Sequence, residues 1–226
     1  MVLVQNVQKC LKNSFMIKNR AFKALNLKQY NNLNKPEKIG KFEDFKIPTE
    51  LEWCTNLILE AIENQKRMGI NQPFCYITVR HGFVTSTLDD EWHVDDFSTT
   101  ITHLPEQNYY WSNTHPTDYI VKKIKFPKDF DAQKHNVHLF FQDNINENDE
   151  VKKMEANTLY CFDPYVIHRR PVDAKNLMRT FVRLSFTPIE INDVNNTLNP
   201  LIETNYTRDG KIEFRDKLLR YEIHSN

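Results

Sequence analysis

The sequence predicts a mainly β fold with some helix (α+β), in which a helical buttress precedes a β-rich core. Three observations predict it. Short segments rich in β-branched and aromatic residues recur between residues 74 and 187, separated by turn-forming residues. A single amphipathic helical pattern stands ahead of them. The chain has 226 residues, 40% hydrophobic and 12% aromatic, enough for one β-rich domain with a substantial core. Such a series of strands indicates a sandwich, a barrel or a jelly roll.

Residues 1–48 read as irregular helix and loop, interrupted by Pro36 and Gly40. The first 36 residues hold no acid but carry seven basic residues from Lys9 to Lys35. A basic surface helix is the plainer reading and a transit peptide the alternative. Thr49 and Glu52 have capping-box spacing. Leu51, Cys54, Leu57, Ile58, Ala61 and Ile62 then recur at helical intervals, and Gly69 suits a helix end. These predict a helix from about Glu50 to Met68.

Strands are expected at Phe74 to Val84, Glu91 to Ile101, Tyr119 to Phe126, Asn136 to Gln142, Thr158 to Phe162, Tyr165 to Arg169 and Thr180 to Thr187. His103 to Asp118 has no clean period and mixes aromatic with polar residues, as in a long loop covering a site. Asp209-Gly210 marks a terminal hairpin. The expected division is 1–70, a helical segment packed on the core and not independent; 71–190, the core; and 191–226, a C-terminal extension.

Composition narrows the function. Thirty basic and thirty acidic residues give a formal net charge of zero, against a nucleic-acid partner held by bulk basic charge. No apolar run approaches the ~18 residues of a membrane span, and no secretory signal pattern is visible. The four cysteines, Cys10, Cys54, Cys75 and Cys161, form no CxxC pair. Free thiols in a reducing, cytoplasmic setting are expected.

Three features carry chemistry. His93 and Asp95 are two apart, so on extended backbone both point to one side, roughly 6.5–7 Å apart at the Cα atoms. His168 closes the apolar run Tyr165 to Ile167. From Arg179 to Phe186 the chain alternates strictly, with Arg179, Phe181, Arg183 and Ser185 on one face. Taken singly, each has a plain structural explanation: a surface ion pair, a hydrogen-bonding histidine, and an edge strand with exposed arginines. Together they run in order, with 72 residues between Asp95 and His168 and the arginines 11 and 15 positions after His168. Two histidines and one carboxylate form the facial triad of non-haem Fe(II) oxygenases.

At this point the sequence resembles the Fe(II)/2-oxoglutarate-dependent dioxygenase superfamily, over about Phe74 to Pro188. Phe162, Pro164 and His168 also match the approach to that family's distal histidine. The resemblance implies a double-stranded β-helix (jelly roll) core. It makes His93, Asp95 and His168 the iron ligands and catalytic centre, with 2-oxoglutarate as cosubstrate. Arg179 has the commoner spacing for the 2-oxoglutarate C5 carboxylate; Arg183 with Ser185 matches an alternative Arg-x-Ser pattern. The implied reaction converts 2-oxoglutarate to succinate and CO2 while hydroxylating a C–H bond, and Asp95 favours hydroxylation, or a related desaturation or demethylation, over halogenation. A small molecule is the expected substrate, with a protein substrate the alternative; neither nucleic acid nor membrane is expected as a partner.

Asp96 is expected on the opposite face from the triad, and Asp89, Asp90 and Glu91 read as a solvated turn. Trp92, Tyr109, Tyr110 and Trp111 are candidates for a substrate pocket wall, though packing is the plainer role for each. Gln107, Asn108 and Asn113 are candidates for polar contacts to substrate. Two other functions fit the same residues. A cupin-like metalloenzyme would use no 2-oxoglutarate, and a non-catalytic jelly-roll binding module would hold the triad only incidentally.

Overall fold

The computed structural model describes residues 4–6, 21–29, 45–84, 90–95, 106–130, 135–163, 165–188 and 196–202. Its ordered elements are strands β1 (Val4–Asn6) and β2 (Ala21–Gln29), a 3-10 helix (Thr49–Cys54), α1 (Thr55–Arg67), β3 (Phe74–Phe83), β4 (Gln107–Ser112), β5 (Asp118–Ile120), α2 (Val137–Asp143), β6 (Lys152–Lys153), β7 (Thr158–Phe162), β8 (Ile167–Arg169) and β9 (Met178–Thr187). The fold is mainly β. A six-stranded antiparallel sheet has the order β1-β7-β4-β9-β3-β2, and a three-stranded antiparallel sheet the order β6-β5-β8.

Strand alternation gives the large sheet two different faces. Ile77 and Val79 of β3, Tyr109 and Trp111 of β4, Leu159 and Cys161 of β7, and Val182, Leu184 and Phe186 of β9 line one face. Leu57, Ile58, Ala61 and Ile62 of α1 cover it, the i, i+1, i+4, i+5 stripe of an amphipathic helix. The opposite face carries Tyr110, Tyr160, Phe162 and Phe181, which pack against Tyr119 of β5 and Met154. The small sheet therefore lies over the second face. Its own far side is closed by Trp92, Val94, Ile120, Phe141 and Ile167.

The helix arrives as expected, with a different start. Its first six residues, Thr49–Cys54, are 3-10, and Pro48 occupies the N-cap without a side-chain cap bond, so the Thr49/Glu52 capping box does not form. Its end follows the prediction. Gly69 has φ +67°, its N–H reaches the Lys66 carbonyl, and the Ile70 N–H reaches the Gln65 carbonyl. That is the Schellman closure, in which glycine avoids the Cβ penalty of left-handed backbone.

Three expectations are corrected. Among the described residues before 49, the ordered elements are strands and not helix: β2 pairs with β3 along the edge of the large sheet, and β1 pairs with β7. Leu25 and Leu27 are buried in the main core, and their i, i+2 spacing is a strand signal masked by surrounding lysines and asparagines. Asn136 to Gln142 is helix, not strand. Asn136 caps α2 by accepting the Leu139 N–H at 3.0 Å, and that cap overrides the β preference of the two phenylalanines. Residues 107–112 are not part of a covering loop but an interior strand, β4, buried at every position. A strand packed on both faces shows no polar alternation, so its period is invisible in sequence.

The strands expected at 74–84, 158–162 and 180–187 form as β3, β7 and β9, and those expected at 119–126 and 165–169 shorten to β5 and β8; of the strand expected at 91–101, the described residues 91–95 form no strand and carry the isolated bridge at His93. The Asp209-Gly210 hairpin, Asp89, Asp96, Cys10 and Pro164 lie outside the described residues. Cys54, Cys75 and Cys161 are buried and in no disulfide. No helix among the described residues is long and apolar enough to cross a membrane.

Candidate metal centre

His93, Asp95 and His168 converge between the two sheets. Their ligand atoms all lie within 4.8 Å of one another. The convergence has a backbone cause. His93 and His168 form an antiparallel bridge, with N–H to carbonyl distances of 3.0 and 2.8 Å in the two directions. Directly opposed residues point to the same side of a ladder, and the two rings sit with centroids 4.5 Å apart. Asp95, two positions beyond His93, joins them, while Trp92 and Val94 turn to the far side.

Hydrogen bonding presets both imidazoles. Nδ1 of His93 lies 2.7 Å from the Glu91 carbonyl and Nδ1 of His168 lies 2.9 Å from the Val166 carbonyl. A carbonyl only accepts, so each Nδ1 carries a proton, and in the neutral ring each Nε2 keeps its lone pair. This fixed tautomer is the common state of a metal-ligating histidine. Nε2 of His168 is 3.6 Å from Oδ2 of Asp95. A divalent cation with bonds of ~2.1 Å would need each side chain to shift by about an ångström or less. The donor set, two neutral imidazoles and one carboxylate, suits such a cation.

Asp95 and His168 are buried, at 3% and 5% exposure. The Asp95 charge is met from the large sheet. Arg183 of β9 places Nη1 2.6 Å from Oδ2, and Tyr110 of β4 donates its hydroxyl to the same oxygen. Tyr110 and Arg183 are register partners, so both donors rise from one row of the sheet.

The other sequence candidates are placed as follows. Arg179 is buried on the same face as Arg183, four residues earlier on β9. Its Nε donates to the His115 carbonyl at 3.1 Å, and its guanidinium lies 5.1 Å from the centroid of the Phe181 ring. Ser185 donates to Oδ1 of Asn108, its register partner on β4. Of the proposed aromatic wall, only Tyr110 reaches the triad. Tyr109 and Trp111 face the helix-covered core, and Trp92 lies under the Arg169 guanidinium on the far side of the small sheet, 4.1 Å from it. Gln107 accepts from Gln65 and Asn113 accepts from the Thr180 N–H; both hold structure. Asp90 is 3.9 Å from Lys175.

Two buried features behind the site are structural. Burial pushes the Cys161 thiol up to about 11, which makes it a poor nucleophile near neutral pH. Burial also raises Tyr109, whose hydroxyl donates to Asn64 across the helix–sheet interface. On the small sheet, burial raises Asp118 above the usual carboxylate range, against the opposing pull of Arg169.

No protein-family model matches the chain, and comparison with curated proteins finds no match.

Proposed function

We propose that the chain is an Fe(II)/2-oxoglutarate-dependent oxygenase with a double-stranded β-helix core, and that it hydroxylates a C–H bond of a small molecule. The observation that carries this reading is the convergence of His93, Asp95 and His168 with both Nε2 lone pairs preset. Three ligands on one side of an octahedral ion leave positions for a chelating cosubstrate and dioxygen. Iron, when bound there, supplies the oxidative chemistry.

The chain's own residues hold and orient. His93 and His168 present fixed nitrogens. Asp95 supplies one negative charge, already shared with Arg183. Arg183 is committed to the triad at 2.6 Å, so it sits too close to the ion to hold the far end of a five-carbon diacid. That favours Arg179 for the C5 carboxylate, since it lies on the same face and a guanidinium forks onto a carboxylate. Ser185, bonded to Asn108, lies beyond Arg183 in the direction away from Arg179. Phe181 and Phe162 give the neighbourhood apolar walls.

The test is succinate release from 2-oxoglutarate by iron-loaded protein, alongside metal stoichiometry. Iron-dependent succinate, lost in His93→Ala and Asp95→Ala, supports the reading. Stoichiometric metal without succinate would favour a cupin-like enzyme, and no metal uptake would leave a binding module.

A further inference from the structure

We infer that Tyr110 is a positioning residue of the metal centre, holding the Asp95 carboxylate in its ligating orientation without adding charge. The inference rests on the metal-centre reading above. Asp95 lies outside the named strands, two positions past the bridge at His93, and its side chain is buried. Two donors from the large sheet grip the same oxygen, the Tyr110 hydroxyl and the Arg183 guanidinium.

The two donors are not equivalent. Arg183 is a cation and competes electrostatically with a metal ion for Asp95. Tyr110 is neutral, so it orients the carboxylate with no charge repulsion toward the ion. Tyr110 also packs on a second ligand. Its ring centroid is 5.2 Å from that of His168, and 5.1 Å from that of Phe162. One rigid side chain, itself 2% exposed, thus touches two of the three ligands. Hydrogen-bond partners of metal-ligating carboxylates commonly support affinity in this way.

The neighbouring strand position supplies a matched control. Tyr109 points to the opposite face, where its hydroxyl bonds to Asn64 and Gln65. Tyr110→Phe and Tyr109→Phe each delete one buried hydroxyl from β4, and only the first touches the site. The probe is Co(II) alone, followed by calorimetry and by its visible ligand-field spectrum, with thermal unfolding of the metal-free proteins alongside. Tyr110→Phe is expected to weaken Co(II) binding by roughly 10–100-fold and to alter the spectrum, while Tyr109→Phe does neither. Tyr110→Met, which also fills the space without a hydroxyl, should reproduce the loss if the first variant folds poorly. Equal affinity and spectrum in Tyr110→Phe and wild type would overturn the inference while leaving the metal centre standing. An equal loss in Tyr109→Phe would do the same. Absence of Co(II) uptake by the wild-type protein would overturn the centre and the inference together.

Discussion

Replacing Arg183 by methionine keeps most of the apolar stem and removes the charge that faces Asp95. The Nη1 to Oδ2 distance is 2.6 Å, which puts the centres of the two delocalised charges about 4 Å apart. At an effective dielectric near 20, that pair is worth about 4 kcal/mol. Arg183 keeps 24% side-chain exposure against 3% for Asp95, so water screens part of the attraction. The Tyr110 hydrogen bond also survives the change. A net loss of about 2–3 kcal/mol is expected for the metal-free protein, below the ~3–5 kcal/mol of a fully buried pair broken on one side. For a chain of this length, that lowers the thermal midpoint by roughly 5–10 °C. A divalent cation supplies the missing positive charge, so it should stabilise the variant more than the wild type. The assay is thermal unfolding of both proteins with and without saturating Co(II). A deficit that is unchanged by metal, or no deficit at all, would refute the charge-sharing argument.

Three other perturbations test separate parts of the structure. Gly69→Ala should cost about 1 kcal/mol in denaturant unfolding, because φ is +67° although a Cβ there would meet nothing within 4 Å; an unchanged midpoint would contradict a strain-only cost. Asp118→Asn should gain stability relative to wild type as pH rises from 3.8 toward neutrality. Burial raises this carboxyl in the fold, so the unfolded chain ionises first and wild-type stability falls through that window; parallel pH profiles would count against it. Arg179→Ala should raise the 2-oxoglutarate concentration needed for succinate release by tenfold or more, with Co(II) affinity unchanged; the same rise in Arg183→Ala instead would move the carboxylate site to Arg183.

The triad was legible in sequence because its signal is local. His93 and Asp95 sit two apart in sequence, His168 ends an apolar run, and β9 alternates strictly. The grouping itself depends on the His93–His168 bridge, a contact across 75 positions that no local spacing announces. What stayed hidden did so for physical reasons. In β4, Asn108 and Tyr110 face one packed layer while Tyr109 and Trp111 face another, so burial on both sides erased the alternation and the segment read as a loop. Tyr110 then looked like one of four equivalent aromatics, and only the register with Arg183 sets it apart. At α2, two adjacent phenylalanines suggested a strand, and the deciding Asn136 cap is one hydrogen bond. At β2, the surrounding lysines give the composition of a surface helix, although Leu25 and Leu27 are core residues.

The central claim is a facial triad that admits a chelating diacid. Anaerobic titration of the Fe(II)-loaded protein with 2-oxoglutarate, followed by visible absorption, tests it most directly. The account predicts that protein holding one iron per chain gives a weak charge-transfer band that saturates at one 2-oxoglutarate per iron, vanishes in Asp95→Ala and requires more 2-oxoglutarate in Arg179→Ala. Iron bound at that stoichiometry with no such band would contradict it.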